Sequence, residues 1–126
     1  MKRLFALILP LALFAPGLGA QDRKKSEDLY RLHGASCHSI ACSRRGPKLE
    51  GVFGRQAGSV TDFKGYTDAI KTSGIVWDEK QIDAFIANPD QYIPGSGMPF
   101  LVSSSNDRRA IINFLRLQDK SIDLCF

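Results

Sequence analysis

Cys37 and His38 stand side by side in this chain, and Met98 follows sixty residues after the histidine, in Ile93-Pro94-Gly95-Ser96-Gly97-Met98-Pro99-Phe100. An imidazole and a thioether are one of the donor pairs found on haem iron. Covalent haem attachment through two thiols takes the form C-x-x-C-H, and the corresponding run here is Gly34-Ala35-Ser36-Cys37-His38. The first thiol is therefore absent, and a single thioether, through Cys37, is the most this run permits. Cys42 lies four residues past His38 and cannot replace the missing cysteine without passing around the histidine. It is left to pair with Cys37, with Cys125 or with nothing.

Most histidines are ordinary surface or core residues, and methionine is the usual gap-filler of cores. The neighbours weigh against both defaults. His38 comes directly after Cys37 at the expected end of a helix, with Gly46-Pro47 downstream. Pro94-Gly95 before Met98 and Pro99 after it stiffen a loop that a mere filler would not require.

These groups need elements to hold them. From Ser26, the pattern Leu29, Tyr30, Leu32 and His33 suits a short amphipathic helix that delivers Cys37-His38 at its end. The stretch from Ser43 to Gly65, punctuated by Gly46-Pro47, Gly51, Gly54 and Gly58, reads as loop and turns. Tyr66 to Ser73 has room for two helical turns stopped by Gly74. Asp78 with Gln81 three residues on forms a capping signal, behind which Ile82, Phe85 and Ile86 share a face. Asn88-Pro89 ends that helix. A last helix starts near Ser104-Ser105-Asn106 and carries Ile111, Phe114 and Leu115 on one face, long enough to pack across the first. Gly74-Ile75-Val76-Trp77 is β-prone but too short to argue for a sheet. The expected fold class is all-α, with short helices and loops wrapped around an internal group.

The chain has 126 residues, of which 17 are Lys or Arg and 13 are Asp or Glu. Its start, Met1-Lys2-Arg3, an apolar run from Leu4 to Ala15 and small residues at Gly17 to Ala20, has the form of a secretory signal peptide. The expected division is a leader at 1–20 and a single domain at 21–126, exported to a periplasm-type compartment and without a transmembrane segment. Removing Lys2 and Arg3 with the leader brings the charge balance to fifteen against thirteen, or +2. That gives nucleic-acid binding no support. A domain of this size buries a modest fraction of its surface and often leans on a disulfide, metal or cofactor.

Several blocks together resemble class I cytochrome c, of the mitochondrial and bacterial c2 type. They are Gly46-Pro47-Lys48-Leu49-Glu50-Gly51-Val52-Phe53-Gly54-Arg55, Phe63-Lys64-Gly65-Tyr66-Thr67-Asp68-Ala69, Ser73-Gly74-Ile75-Val76-Trp77, Asn88-Pro89 and the segment ending in Met98, in the family's order. The resemblance spans about Leu29 to Leu115. It implies the cytochrome c fold and one haem c, linked by a single thioether at Cys37. It makes His38 and Met98 the iron ligands, with the Pro47 carbonyl receiving the histidine's other ring proton, and it places Arg55, Tyr66 and Trp77 around a haem propionate. Tyr30 on the first helix would pack against Phe114 on the last. Lys48, Lys64, Lys71, Lys80 and Arg108-Arg109 would contribute a positive rim.

The implied function is a monomeric one-electron carrier rather than an enzyme. Its partners would be redox proteins such as a membrane cytochrome complex and a terminal oxidase, peroxidase or reaction centre. Two alternatives stay open: a haem protein whose Met98 leaves the iron to admit a small ligand or peroxide, and a haem-free, disulfide-stabilised binding module.

Overall fold

The first helix begins earlier than its apolar pattern. In the computed structural model, which describes residues 18–117 and Cys125, α1 spans Leu18–His33. Its first half is mostly polar, and along its length run the ion pairs Lys24–Asp28 at 3.2 Å and Arg31–Glu27 at 2.8 Å, each joining residues four apart. Such pairs add a few tenths of a kcal/mol each to a helix. The helix thus runs across the expected leader boundary after Ala20, and the rest of the expected leader, residues 1–17, lies outside the described residues.

Three short helices follow, each started by a side-chain cap. Helix α2, Asp68–Lys71, is capped by Thr67, whose side chain accepts from the Ile70 amide. Helix α3, Glu79–Ala87, is capped by Asp78, which accepts from the Gln81 amide at 2.8 Å as the sequence signal implies. Asn88 does more than end α3. Its side chain accepts from the Gln91 amide at 3.1 Å and starts a further turn, α4, Pro89–Tyr92, with proline at the first helical position. Helix α5 is Ser105–Leu117, with the Ser104 hydroxyl accepting from the Asp107 amide at 3.3 Å.

The terminal helices cross, and the Tyr30 and Phe114 rings stack with centroids 4.5 Å apart. Around that pair Ile40, Val102, Ile111 and Leu115 are buried. A second cluster, Val52, Ile82 and Ile112, joins α3 to α5, and Arg108 fastens the same two helices through a 2.8 Å ion pair to Asp83. The third, Ala57, Ile70 and Ile93, lies under Tyr66 and Trp77. Among the described residues, β-type pairing is an isolated antiparallel bridge between Gln56 and Val76. The fold is all-α, as expected. Among the described residues no helix is long and apolar enough to cross a membrane.

Candidate functional site

All three clusters contribute to the wall of one internal cavity of about 400 Å³, through Tyr30, Val102, Ile111 and Leu115 from the first, Val52 and Ile82 from the second and Ile70 from the third. The core is therefore arranged around a space, not a solid centre. The seven residues expected at a haem site line it: Cys37, His38, Pro47, Arg55, Tyr66, Trp77 and Met98. A further hollow, wide-mouthed and bounded by Phe53, Asp78, Glu79, Lys80 and Arg116, brings no such set together.

His38 is placed by α1 and by the loop that follows it. The amides of Gly34 and Ala35 donate to the Tyr30 carbonyl, and those of Cys37 and His38 donate to the Gly34 carbonyl, winding the chain off the helix end. The His38 Nδ1 lies 2.8 Å from the Pro47 carbonyl oxygen. A proline carbonyl can only accept, so Nδ1 carries the proton and Nε2 is left as the lone-pair donor. Burial pulls the His38 pKa below its usual value, the Pro47 bond opposes that, and the charge of Arg55 adds to the lowering. Burial and the nearby cation thus favour the neutral, ligating form.

Two features here were not legible beforehand. A Cβ on Gly46 would sit 2.3 Å from His38 Cε1, so the glycine backbone is the surface against which the ring rests. The Tyr30 hydroxyl donates to the His38 carbonyl at 3.1 Å, so one side chain serves both the helix crossing and the ligand turn.

Met98 is half-buried in a loop held from two directions. Its amide donates to the Ser96 hydroxyl at 3.4 Å, and the Ser96 carbonyl accepts from Thr67 Oγ1 at 3.4 Å. Gly95 and Gly97 take φ of 81° and 78°, a region that side chains rarely tolerate.

Arg55 and Trp77 are brought together by the short bridge, in which the Trp77 amide donates to the Arg55 carbonyl at 2.9 Å. The Arg55 guanidinium donates to the carbonyls of Glu50 and Lys48, both at 2.9 Å. Five N–H groups on an arginine leave donors over for a guest. Burial lowers its pKa and raises that of Tyr66. The Tyr66 oxygen accepts from the Val60 amide at 3.4 Å, which leaves its own proton to give.

The donor set and the walls fit an iron porphyrin. One imidazole with a fixed tautomer and one thioether border an apolar space, and His33 Nε2 is buried in the same wall without a partner, a polar atom awaiting a guest. Among the described residues no group of three or more His, Cys, Asp or Glu gathers to hold a metal ion by itself.

The cysteines correct one expectation. Cys42 and Cys125 form a disulfide with Cα atoms 6.0 Å apart, and Cys37 is a solitary free thiol among the described residues. No free pair is positioned for thioether attachment, so the expected haem c linked through Cys37 does not stand. The expected positive rim is also reduced: Lys48 is paired with Asp62 at 3.6 Å, Lys71 with Asp68 at 3.5 Å and Arg108 with Asp83.

No family model matches the chain. Among curated proteins, cytochrome c of Cochliobolus lunatus is 37% identical over 108 residues, covering 82% of this chain and 99% of that protein. Cytochrome c of Arabidopsis thaliana is 38% identical over 103 residues, covering 79% and 91%. Among solved structures, cytochrome cH from Methylobacterium extorquens superposes with a TM-score of 0.70 at 31% identity, over 76% of this chain and 98% of that one. Sequence identity at this level over nearly the full length of these proteins, on a shared helical fold, places the chain in the class I cytochrome c family.

Proposed function

We propose that the protein is a one-electron carrier whose cavity would hold an iron porphyrin through His38 and Met98, without a thioether bond. The observation that carries this is the convergence of His38, its Nδ1 committed to Pro47, and Met98 on one apolar cavity. When bound, the iron supplies a one-electron valence change, and thioether ligation raises its potential. Pro47 orients the imidazole and raises its basicity. The loop through Ser96 presents the thioether, and Arg55, Tyr66 and Trp77 would receive the carboxylates that a porphyrin carries. Cys37 remains a wall residue. Membership of a family not known for catalytic activity agrees with a carrier and not an enzyme.

Phe100 and Leu101, just past Met98, are 59% and 52% exposed, an apolar patch suited to brief contact with redox proteins. Partners of the membrane cytochrome complex, terminal oxidase, peroxidase or reaction centre kind fit such a surface. The charged start, apolar run and small residues of the first twenty positions support export to a periplasm-type compartment.

The disulfide favours a second possibility, a haem-free module, because it closes the fold without any guest. Titrating the purified protein with ferric iron protoporphyrin separates the two. A saturable, six-coordinate low-spin spectrum that cycles reversibly on reduction is expected for the carrier. High-spin haem would favour ligand chemistry at a vacated Met98 position, and no spectral change would favour the module.

A further inference from the structure

His33 is the last residue of α1 and lines the cavity. Among the described residues, its Nε2 is the buried side-chain nitrogen or oxygen that has no hydrogen-bond partner. Buried polar side chains nearby are satisfied: the Ser39 hydroxyl accepts from the Cys42 amide at 3.4 Å, and the Ser96 hydroxyl from the Met98 amide at 3.4 Å. A polar atom withdrawn from water without a partner costs free energy, and each such exception calls for a reason.

The end of the helix does not supply one. A basic side chain in a last turn can serve the free carbonyls there. The Tyr30 carbonyl, however, already accepts from the Gly34 and Ala35 amides at 2.7 and 3.1 Å, and Arg31 already places a permanent cation in the same turn.

The surroundings narrow the kind of partner that fits. Gly34 follows His33 and also lines the cavity, and a Cβ there would lie 3.1 Å from the Tyr30 ring carbons Cδ2 and Cε2. The wall is therefore bare backbone at the point where a two-thiol attachment run carries its first sulfur. This stretch of wall is also separate from the carboxylate-binding one. Tyr30, against which Gly34 rests, belongs to the core cluster at the crossing of α1 and α5, whereas Tyr66 packs on the cluster of Ala57, Ile70 and Ile93. Arg55, Tyr66 and Trp77 bring several donors to one place, as carboxylates require. His33 brings a single nitrogen, which accepts in one tautomer and donates in the other. A hydroxyl both gives and takes a hydrogen bond, so it matches either tautomer. A vinyl or ethyl group matches neither.

We propose that His33 is a specificity-determining residue for the guest. Its Nε2 hydrogen-bonds a hydroxyl on the porphyrin rim beside Gly34, so that the cavity favours a hydroxyalkyl porphyrin over one whose substituents there are hydrocarbon alone. The inference rests on the function proposed above and adds the substituent class that the cavity selects. Discrimination of this kind arises because a hydroxyl stripped of water regains a bond only where the wall offers one.

The test uses iron haematoporphyrin, with two hydroxyethyl groups, and iron mesoporphyrin, with ethyl groups at the same positions. Neither carries a vinyl group, so thioether chemistry at Cys37 does not enter. Each is titrated into wild type, His33→Leu and His33→Phe, and the ratio of the two Kd values, mesoporphyrin over haematoporphyrin, is compared among the proteins. Guest solubility and general fit cancel in that comparison. The ratio should be roughly three- to tenfold higher in wild type than in either variant, the range that one hydrogen bond provides. Equal ratios would overturn the proposal, whether the nitrogen meets a water or nothing.

A second measurement needs no variant. In wild type labelled with 15N-histidine, zinc haematoporphyrin and zinc mesoporphyrin give diamagnetic complexes, and the His33 Nε2 resonance should differ between them. An identical resonance in the two would overturn the proposal even if neither variant folds. If wild type takes up neither iron porphyrin, the proposed function falls and takes this inference with it. If wild type binds both with the ratio that the variants show, this inference falls alone.

Discussion

The Nδ1 of His38 lies 2.8 Å from the carbonyl oxygen of Pro47, and the residue before that proline has no side chain because the imidazole occupies its place. One bond fixes the tautomer and one missing Cβ fixes the ring's position. Gly46→Ala should therefore push the ring off its support: the new carbon would approach Cε1, Nδ1 and Nε2 to 2.3, 2.6 and 2.8 Å. Overpacking of this kind costs about 1–3 kcal/mol. Urea unfolding should show that loss, and porphyrin uptake should weaken with it. A variant as stable and as avid as wild type would mean that the ring has room the structure does not show.

The neutral state of His38 gives the guest-free protein a pH signature. Burial and Arg55 lower its pKa in the fold, despite the Pro47 bond. In the unfolded chain the ring titrates near its usual value of about 6.5. Between the folded value and that one the unfolded chain binds more protons, so stability rises with pH. The contribution is complete above the unfolded value and is lost as pH falls through it toward the folded one. The urea midpoint should therefore decline on acidification below about pH 6.5, and His38→Gln should flatten the decline. An NMR titration that finds the His38 ring protonating above its ordinary value would refute the sign.

Met98 is the thioether on this cavity, and its loop is held by Ser96 and Thr67 independently of the sulfur. Met98→Ala should leave the fold intact while removing the sulfur that would bind the iron. With iron porphyrin added, the variant should show a lower midpoint potential than wild type and should admit azide or carbon monoxide. Retention should weaken by about tenfold or more, equivalent to about 1.4 kcal/mol. Unchanged potential and spectrum would assign the sixth position to another group.

How far the sequence revealed this architecture depends on whether a feature is local or tertiary. The cap at Asp78 and the apolar face of α5 are written in a few adjacent residues, and the structure has them where the pattern puts them, whereas the two turns expected before Gly74 are a single turn, Asp68–Lys71, closed at Thr72. The seven site residues line one cavity because their order along the chain is that of a known family. Asn88-Pro89 was ambiguous by nature: the pair that forbids continuation of α3 also supplies a cap and a first residue for α4. The cysteine pairing could not be settled from sequence, since connectivity depends on what the fold brings together. The one cysteine before His38 invited a thioether, whereas the structure pairs the other two and leaves no second free thiol beside it. Gly46 and the Tyr30 hydroxyl escaped notice for the same reason, because their partner, His38, meets them only through tertiary contact.

Tyr30 has two roles that mutation can separate. Its ring stacks on Phe114 at 4.5 Å and its hydroxyl donates to the His38 carbonyl at 3.1 Å. Phe114→Ala removes a ring that is 3% exposed and opens the crossing of α1 and α5, which should cost about 3–5 kcal/mol. Against the roughly 5–15 kcal/mol that stabilises a domain, that is a large share. Tyr30→Phe keeps the stack and should cost about 0.5–1.5 kcal/mol through the lost hydrogen bond. The smaller change should nevertheless disturb porphyrin retention more per unit of stability lost, since it acts on the ligand turn itself. Urea unfolding of the two single variants and the double gives their coupling, and porphyrin off-rates give the functional cost. If Tyr30→Phe lowers stability yet leaves the off-rate at the wild-type value, the hydroxyl supports the fold without positioning His38.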